Sequence, residues 1–197
     1  RNVTIGGAIA SDVHGKNHHL NGSFGNHIKE ILLIDGRGSL KKLSSKNNEP
    51  EEIKIQFWAT IGGMGLTGVI LEATFSLIPI ETSKMQTNTF KYNDLDDLMD
   101  AMINSQDSYQ YIVAWVGSLS KKNRGVLTLG NHAVENDLLK ADSNESLLSY
   151  SSKSIASAPS FLPFRLLNKI TVKAFNELWF KNCLLYTSPS PRDSSAS

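Results

Sequence analysis

The residues with the most chemical reach crowd into one stretch near the start of the chain. Gly6-Gly7-Ala8-Ile9-Ala10-Ser11-Asp12-Val13-His14-Gly15-Lys16-Asn17-His18-His19 is followed closely by Gly22-Ser23-Phe24-Gly25-Asn26-His27. Paired glycines permit positive φ and let a backbone come close to a ligand. A Gly-Gly turn before small residues also offers N–H groups at a helix start, which suit a pyrophosphate or a flavin edge. A second cluster, Gly62-Gly63-Met64-Gly65-Leu66-Thr67-Gly68, has the same freedom and flows into an apolar strand. Gly63, Gly65 and Gly68 spell G-x-G-x-x-G, but a strand follows where the dinucleotide fingerprint needs a helix. Taken alone, that match specifies little.

Four of the five histidines lie between positions 14 and 27. His14 and His18 are four apart, a spacing that shares a metal when both sit on a helix. Gly15 and Asn17 argue against a helix there, so no metal is assigned; a metal-dependent hydrolase is the weaker alternative. His14, between Val13 and Gly15, points toward whatever Gly6-Gly7 binds, where an imidazole can hold a substrate hydroxyl. The bland alternative for His14 is a buried ring bonded to backbone.

Composition bounds the rest. The chain has 197 residues, 40% hydrophobic and 20% charged, with a formal charge of +1. Nothing in that balance calls for nucleic acid or a membrane surface. No apolar run reaches the roughly 18 residues of a membrane span, so an integral membrane protein is not expected. The lone Cys183 allows no internal disulfide and suits a reducing, cytoplasmic setting, with membrane association as a variant of it. The chain opens at Arg1 in what reads as mid-domain, and residues 183–197 read as a non-native tail, so a fragment is expected.

The elements that must position these residues can be read from punctuation and period. Eleven of the fourteen glycines precede residue 69, which sets a first part, 1–80, apart from a second, 81–182. Asp35-Gly36-Arg37-Gly38 between Ile31–Ile34 and Leu40–Leu43 predicts a hairpin. Residues 44–52 read as a loop, 53–59 as a short helix, and 69–78 as a strand closed by Pro79. In the second part, strands are expected at 85–92, 109–116 and 125–129. A helix capped by Asn93 or Asp94 should present Leu95, Leu98, Met99 and Met102 on one face. Residues 133–160 read as a long loop and 164–180 as a helix. Irregular alternation of strands and helices points to an α+β fold.

V-T-I-G-G-A-I-A-S-D-V-H-G-K-N-H-H, then G-S-F-G-N-H-I, then F-W-A-T-I-G-G-M-G-L-T-G-V-I-L-E-A-T-F resembles the FAD-linked oxidases of the vanillyl-alcohol oxidase type. The likeness continues more weakly through Tyr111–Trp115, Leu129–His132 and Asn168–Trp179. It implies the second lobe of a PCMH-type FAD-binding domain over 1–80, then part of an α+β substrate or cap domain. Thr4, Ile5, Gly6, Gly7, Ser11, Asp12, Val13 and His14 would line the FAD, with Ile70 touching it from the later strand. His14 and Lys16 would be the catalytic pair on the substrate side, Lys16 also meeting an anionic phosphate. Trp115 would wall the substrate pocket. Plain solvation for Lys16 and core packing for Trp115 are the competing readings. Ser11 and Val113 stand where the most similar members carry cysteine and serine.

The implied activity is oxidation of a sugar hydroxyl by hydride transfer to flavin N5, in the synthesis of a cell-wall arabinan precursor. The implied substrate is a small or lipid-linked sugar, with a short-chain reductase as partner for the keto product. A non-redox module that binds a nucleotide or sugar phosphate is the alternative from another class.

Overall fold

The computed structural model describes residues 3–120, 122–137, 147–149 and 168–182. The expected tail at 183–197, most of the loop at 133–160 and the helix start at 164–167 lie outside the described residues. The chain forms two compact units, divided between Pro79 and Ile80. Each is α+β, with a three-stranded antiparallel sheet among its described residues.

In the first unit the sheet order is β2-β1-β3, with β1 at Ile28–Ile34, β2 at Leu40–Ser44 and β3 at Val69–Phe75. Ile28 and Ile31 are both buried although an odd number of residues apart, because a register shift between Ile28 and Glu30 resets the alternation. The hairpin expected at 31–43 forms, with Ile34 opposite Leu40. Its turn is organised by Asp35, whose Oδ1 accepts the N–H groups of Ser39 and Arg37, both at 2.9 Å. Those bonds, Ser39 first, hold the Asp35 carboxyl below the usual carboxylate range.

Helix α1 (Ile5–Ala10) and helix α3 (Glu51–Thr60) bring Ile9, Phe57 and, just past α3, Ile61 to the buried sheet face of Ile28, Ile31, Leu33 and Leu43. Between them lie a short helix α2 (His18–Asn21) and a 3-10 turn at Phe24–His27. The helix expected at 53–59 begins earlier, at Glu51. Pro50 supplies a fixed φ at its start, and two carboxylates in the first turn complement the exposed N–H groups. Strand β3 ends at Phe75, short of residue 78, and Leu77 and Ile78 are exposed. Its entry depends on Gly68 (φ 147°), where a Cβ would collide with the Ile34 carbonyl.

The second unit orders β4 (Met85–Tyr92), β6 (Gly125–His132) and β5 (Tyr111–Val116), with β6 central. Asp94 caps helix α4 (Leu95–Ser105) by accepting the Asp97 N–H at 3.0 Å. Leu98 is buried against Ile112, Leu127 and Leu129, joined by Leu95, Ala101 and Met102. Met99, expected on that face, is 50% exposed. It follows Leu98 by one residue and is therefore turned about 100° away, while Ala101 and Met102 return to the face. Helix α5 (Lys169–Asn182) docks through Phe180, with Arg124 4.3 Å and Lys91 5.5 Å from its ring centroid.

At the far end of β5 and β6 the Tyr111 hydroxyl lies 2.9 Å from His132 Nε2, the rings nearly perpendicular. Burial pushes the Tyr111 phenol up and the His132 imidazole down, since both charged forms lose water.

Two expectations follow. Gly68→Ala forces a side chain into the left-hand region and into the Ile34 carbonyl, and should cost about 1–3 kcal/mol in urea unfolding. For His132, the unfolded ring takes a proton near pH 6.5 and the folded ring only at lower pH. The folded state therefore binds fewer protons in that window. Its stability is intact above about pH 6.5 and declines as pH falls below it. His132→Gln should flatten the fall in urea midpoint between about pH 7 and pH 5; an unchanged slope would assign it elsewhere.

Candidate functional site

Thr4 starts α1 by accepting the Gly7 N–H on its Oγ1 at 3.1 Å. Gly6 and Gly7 are therefore helical, and not the positive-φ turn that their pairing predicts. Gly7 is small for another reason: a Cβ there would sit 2.9 Å from Thr4 Oγ1. Nothing lies within 4 Å of where a Gly6 Cβ would project. Val3 (71% exposed) and Ile5 (56% exposed) flank this open backbone.

The end of α1 carries the next group of expected residues. Ser11 caps the helix and Asp12 follows in the left-handed region at φ 41°. The Asp12 N–H reaches the Ile9 carbonyl at 3.0 Å, and the Val13 N–H reaches the Ala8 carbonyl at 3.1 Å. That pair of bonds is a Schellman motif, with aspartate where glycine is usual. Asp12 Oδ1 accepts the Gly25 N–H at 2.8 Å, and the Val13 carbonyl accepts the Phe24 N–H at 2.8 Å.

The second glycine cluster closes over the same helix end. The Gly62 N–H donates to the Ile9 carbonyl at 3.0 Å, and the Met64 N–H to the Ala10 carbonyl at 2.8 Å. Ser11 Oγ approaches Met64 Sδ at 3.9 Å. Residues 61–68 are a turn between helix and strand, which is why G-x-G-x-x-G here is no dinucleotide fingerprint.

His14 forms an isolated bridge with Ser23 and is exposed, which removes the buried-ring alternative. Its Nδ1 stands 3.5 Å from the Gly15 carbonyl, a contact too long to fix the ring firmly. The His14 and His18 ring centroids are 5.0 Å apart, and His18 Nδ1 is 3.3 Å from the same carbonyl. His27 instead contacts the Asn21 carbonyl at 3.1 Å. Among the described residues no group of three histidine, cysteine or carboxylate side chains could hold a metal ion. Lys16 is half-buried on the same loop. Ile70, on β3, packs against the apolar core to which Ile9 belongs.

The first unit thus gathers Thr4, Ile5, Gly6, Gly7, Ser11, Asp12, Val13, His14, Lys16 and Ile70. Trp115 belongs to the second unit. It lies half-buried on β5, outside the apolar cluster among the described residues, and lines a crevice of about 10 Å³ with Ser120, Arg124, Lys173, Asn176 and Glu177. That volume is about the room one water needs. Arg124 pairs with Glu177 across it, and the hydrogen bond from Arg124 is the main cause holding the Glu177 carboxyl below its usual range.

Sequence reasoning missed the Arg124–Glu177 pair, the Tyr111–His132 pair and the use of the Asp12 carboxylate. The first two join residues distant in sequence with no local signal. Asp12 did leave a trace: a helix stop with aspartate in place of glycine asks what the carboxylate does.

No protein-family model matches the chain. It is 34% identical over 190 residues to decaprenylphosphoryl-beta-D-ribose oxidase of Mycolicibacterium smegmatis, covering 94% of this chain and 40% of that protein. It is 37% identical over 134 residues to the "Uncharacterized protein in mprA 5'region" of Streptomyces coelicolor, covering 66% of this chain and 35% of that one. The chain therefore spans well under half the length of both relatives. The similarity to decaprenylphosphoryl-beta-D-ribose oxidase runs along nearly the whole of this chain.

Proposed function

We propose that this chain forms part of an FAD-dependent oxidoreductase that oxidises a hydroxyl of a ribose-derived, lipid-phosphate-linked sugar. The observation that supports it most is local. An exposed imidazole at His14, a lysine two residues on and an open glycine backbone at Gly6 belong to one compact unit. The name of the mycobacterial relative supplies the substrate class.

In this reading residues 1–80 belong to a PCMH-type FAD-binding domain, residues 81–182 to a substrate domain, and 183–197 to a non-native tail. Thr4 to Gly7 and Ser11 to His14 would hold the cofactor, with Ile70 supporting them from β3. When bound, FAD would accept the hydride of the carbinol carbon at N5. His14 would hold the substrate hydroxyl and take up its proton, a role open to an imidazole not already fixed to backbone. Lys16 would pair with the phosphate of the carrier and so set the sugar's position. Trp115 would contribute an apolar wall. The keto product would pass to a short-chain reductase, giving net epimerisation.

No helix among the described residues is long and apolar enough to cross a membrane. A cytoplasmic enzyme that meets its lipid carrier at the membrane surface is compatible with that observation.

The test is a visible absorbance spectrum of the full-length protein purified with FAD, followed under anaerobic conditions. A flavin band that bleaches on adding a lipid-phosphate ribose analogue is expected. His14→Ala should keep the band and slow bleaching by roughly 10²–10⁴-fold, the usual range for a lost acid–base group. Lys16→Ala should raise KM by roughly 10- to 100-fold, the worth of about 1.5–3 kcal/mol for a charged hydrogen bond. A protein that stays colourless after refolding with FAD would leave the non-redox sugar-phosphate module as the better account.

A further inference from the structure

The carboxylate of Asp12 stands in a place that local structure alone does not favour. Asp12 occupies the residue after the C-cap of α1, with φ 41°, where glycine has no steric cost and a Cβ does. Its negative side chain also follows a helix C-terminus, the end that favours cations. Both features disfavour aspartate, and neither would disfavour glycine.

What the aspartate gains is one contact. Its Oδ1 accepts the Gly25 N–H at 2.8 Å, and Gly25 is buried. A Cβ on Gly25 would lie 2.6 Å from Ile61 Cγ2 and 2.9 Å from Asp12 Oδ1, so Gly25, in the 3-10 turn, is pressed close to both. One residue away, the Phe24 N–H donates to the Val13 carbonyl at 2.8 Å, and Ser23 bridges His14. Asp12 therefore fastens the segment whose Ser23 bridges His14. The ring of His14 has no firm bond of its own, with its Nδ1 3.5 Å from the Gly15 carbonyl. Beyond the His18 ring, 5.0 Å away between centroids, its position comes from the backbone that carries it.

We propose that Asp12 is a positioning residue: through the Gly25 N–H it fixes the backbone of residues 12–14 and so aims His14. The proposal rests on the oxidase reading for the role of His14, but the fixing itself does not. Asparagine can accept the same bond and tolerates the left-handed region. Glycine relieves the strain and loses the bond.

The experiment compares Asp12→Gly with Asp12→Asn in the FAD-loaded full-length protein. In Asp12→Gly, kcat per bound flavin should fall by roughly 10- to 100-fold, as expected for a misplaced reacting group. KM for a lipid-phosphate ribose analogue should move little, and Asp12→Asn should restore kcat to near the parent value. Wild-type kcat in a folded, flavin-loaded Asp12→Gly protein would overturn the proposal, as would an Asp12→Asn protein no better than Asp12→Gly.

A readout independent of flavin and turnover is the protection of the Gly25 amide in hydrogen exchange, together with the His14 ring signals by NMR. Protection in the parent and in Asp12→Asn, with its loss and a shifted His14 ring in Asp12→Gly, supports the fixing even in a protein that takes up no flavin. Rapid Gly25 exchange in the parent protein overturns it, and does so if Asp12→Gly fails to fold.

Discussion

Two backbone hydrogen bonds, Gly62 N–H to the Ile9 carbonyl and Met64 N–H to the Ala10 carbonyl, join the end of helix α1 to the glycine loop. A helix of six residues is too short to persist alone, because nucleation costs more than so few turns return. Its last carbonyls are orphans that need donors. The glycine loop provides two of them, and the side chain of Ile9 joins Phe57 and Ile61 in the core beneath. Helix α1, the end of α3 and the loop between Gly62 and Gly68 thus stand or fall together. The segment from Ser11 to Lys16 has its base in that assembly.

Glycine serves here mainly by leaving room. At Gly68 it lets one strand enter beside another, and at Gly25 it lets a backbone N–H reach a carboxylate under a core side chain. Neither position would accept even a methyl group without moving backbone or core, so the density of the first unit is fixed by contacts rather than by flexibility.

Both units bury some polar side chains, among them Ser44 and Thr60 in the first. In the first, the imidazole of His14 is exposed, as are the apolar side chains of Val3 and Ile5. In the second, some polar side chains are turned inward onto one another or onto backbone. Tyr111 meets His132, and Thr82 is fully buried with its hydroxyl donating to the Ala133 carbonyl at 2.7 Å. Buried pairs of that kind rigidify a sheet edge when satisfied. An exposed imidazole leaves its proton chemistry available to a ligand.

Legible in the sequence were the hairpin around Asp35, a helix cap at Asn93 or Asp94, a strand at 125–129 and the α+β class. Each depends on neighbours in sequence, through turn chemistry, capping or side-chain period, and such interactions leave a local imprint. The likeness of residues 3–27 and 57–75 to a flavin-linked family was also legible there, and the similarity to the mycobacterial oxidase agrees with it. The pattern did not reveal where α3 begins or that Met99 turns outward, because those depend on what packs alongside. Only the tertiary structure decided that Gly6 and Gly7 are helical, that Gly62 and Met64 close over Ile9 and Ala10, and that Asp12 spends its carboxylate on Gly25. These are contacts between separate segments, and their geometry is set by the packing of one shared core, which no local pattern encodes.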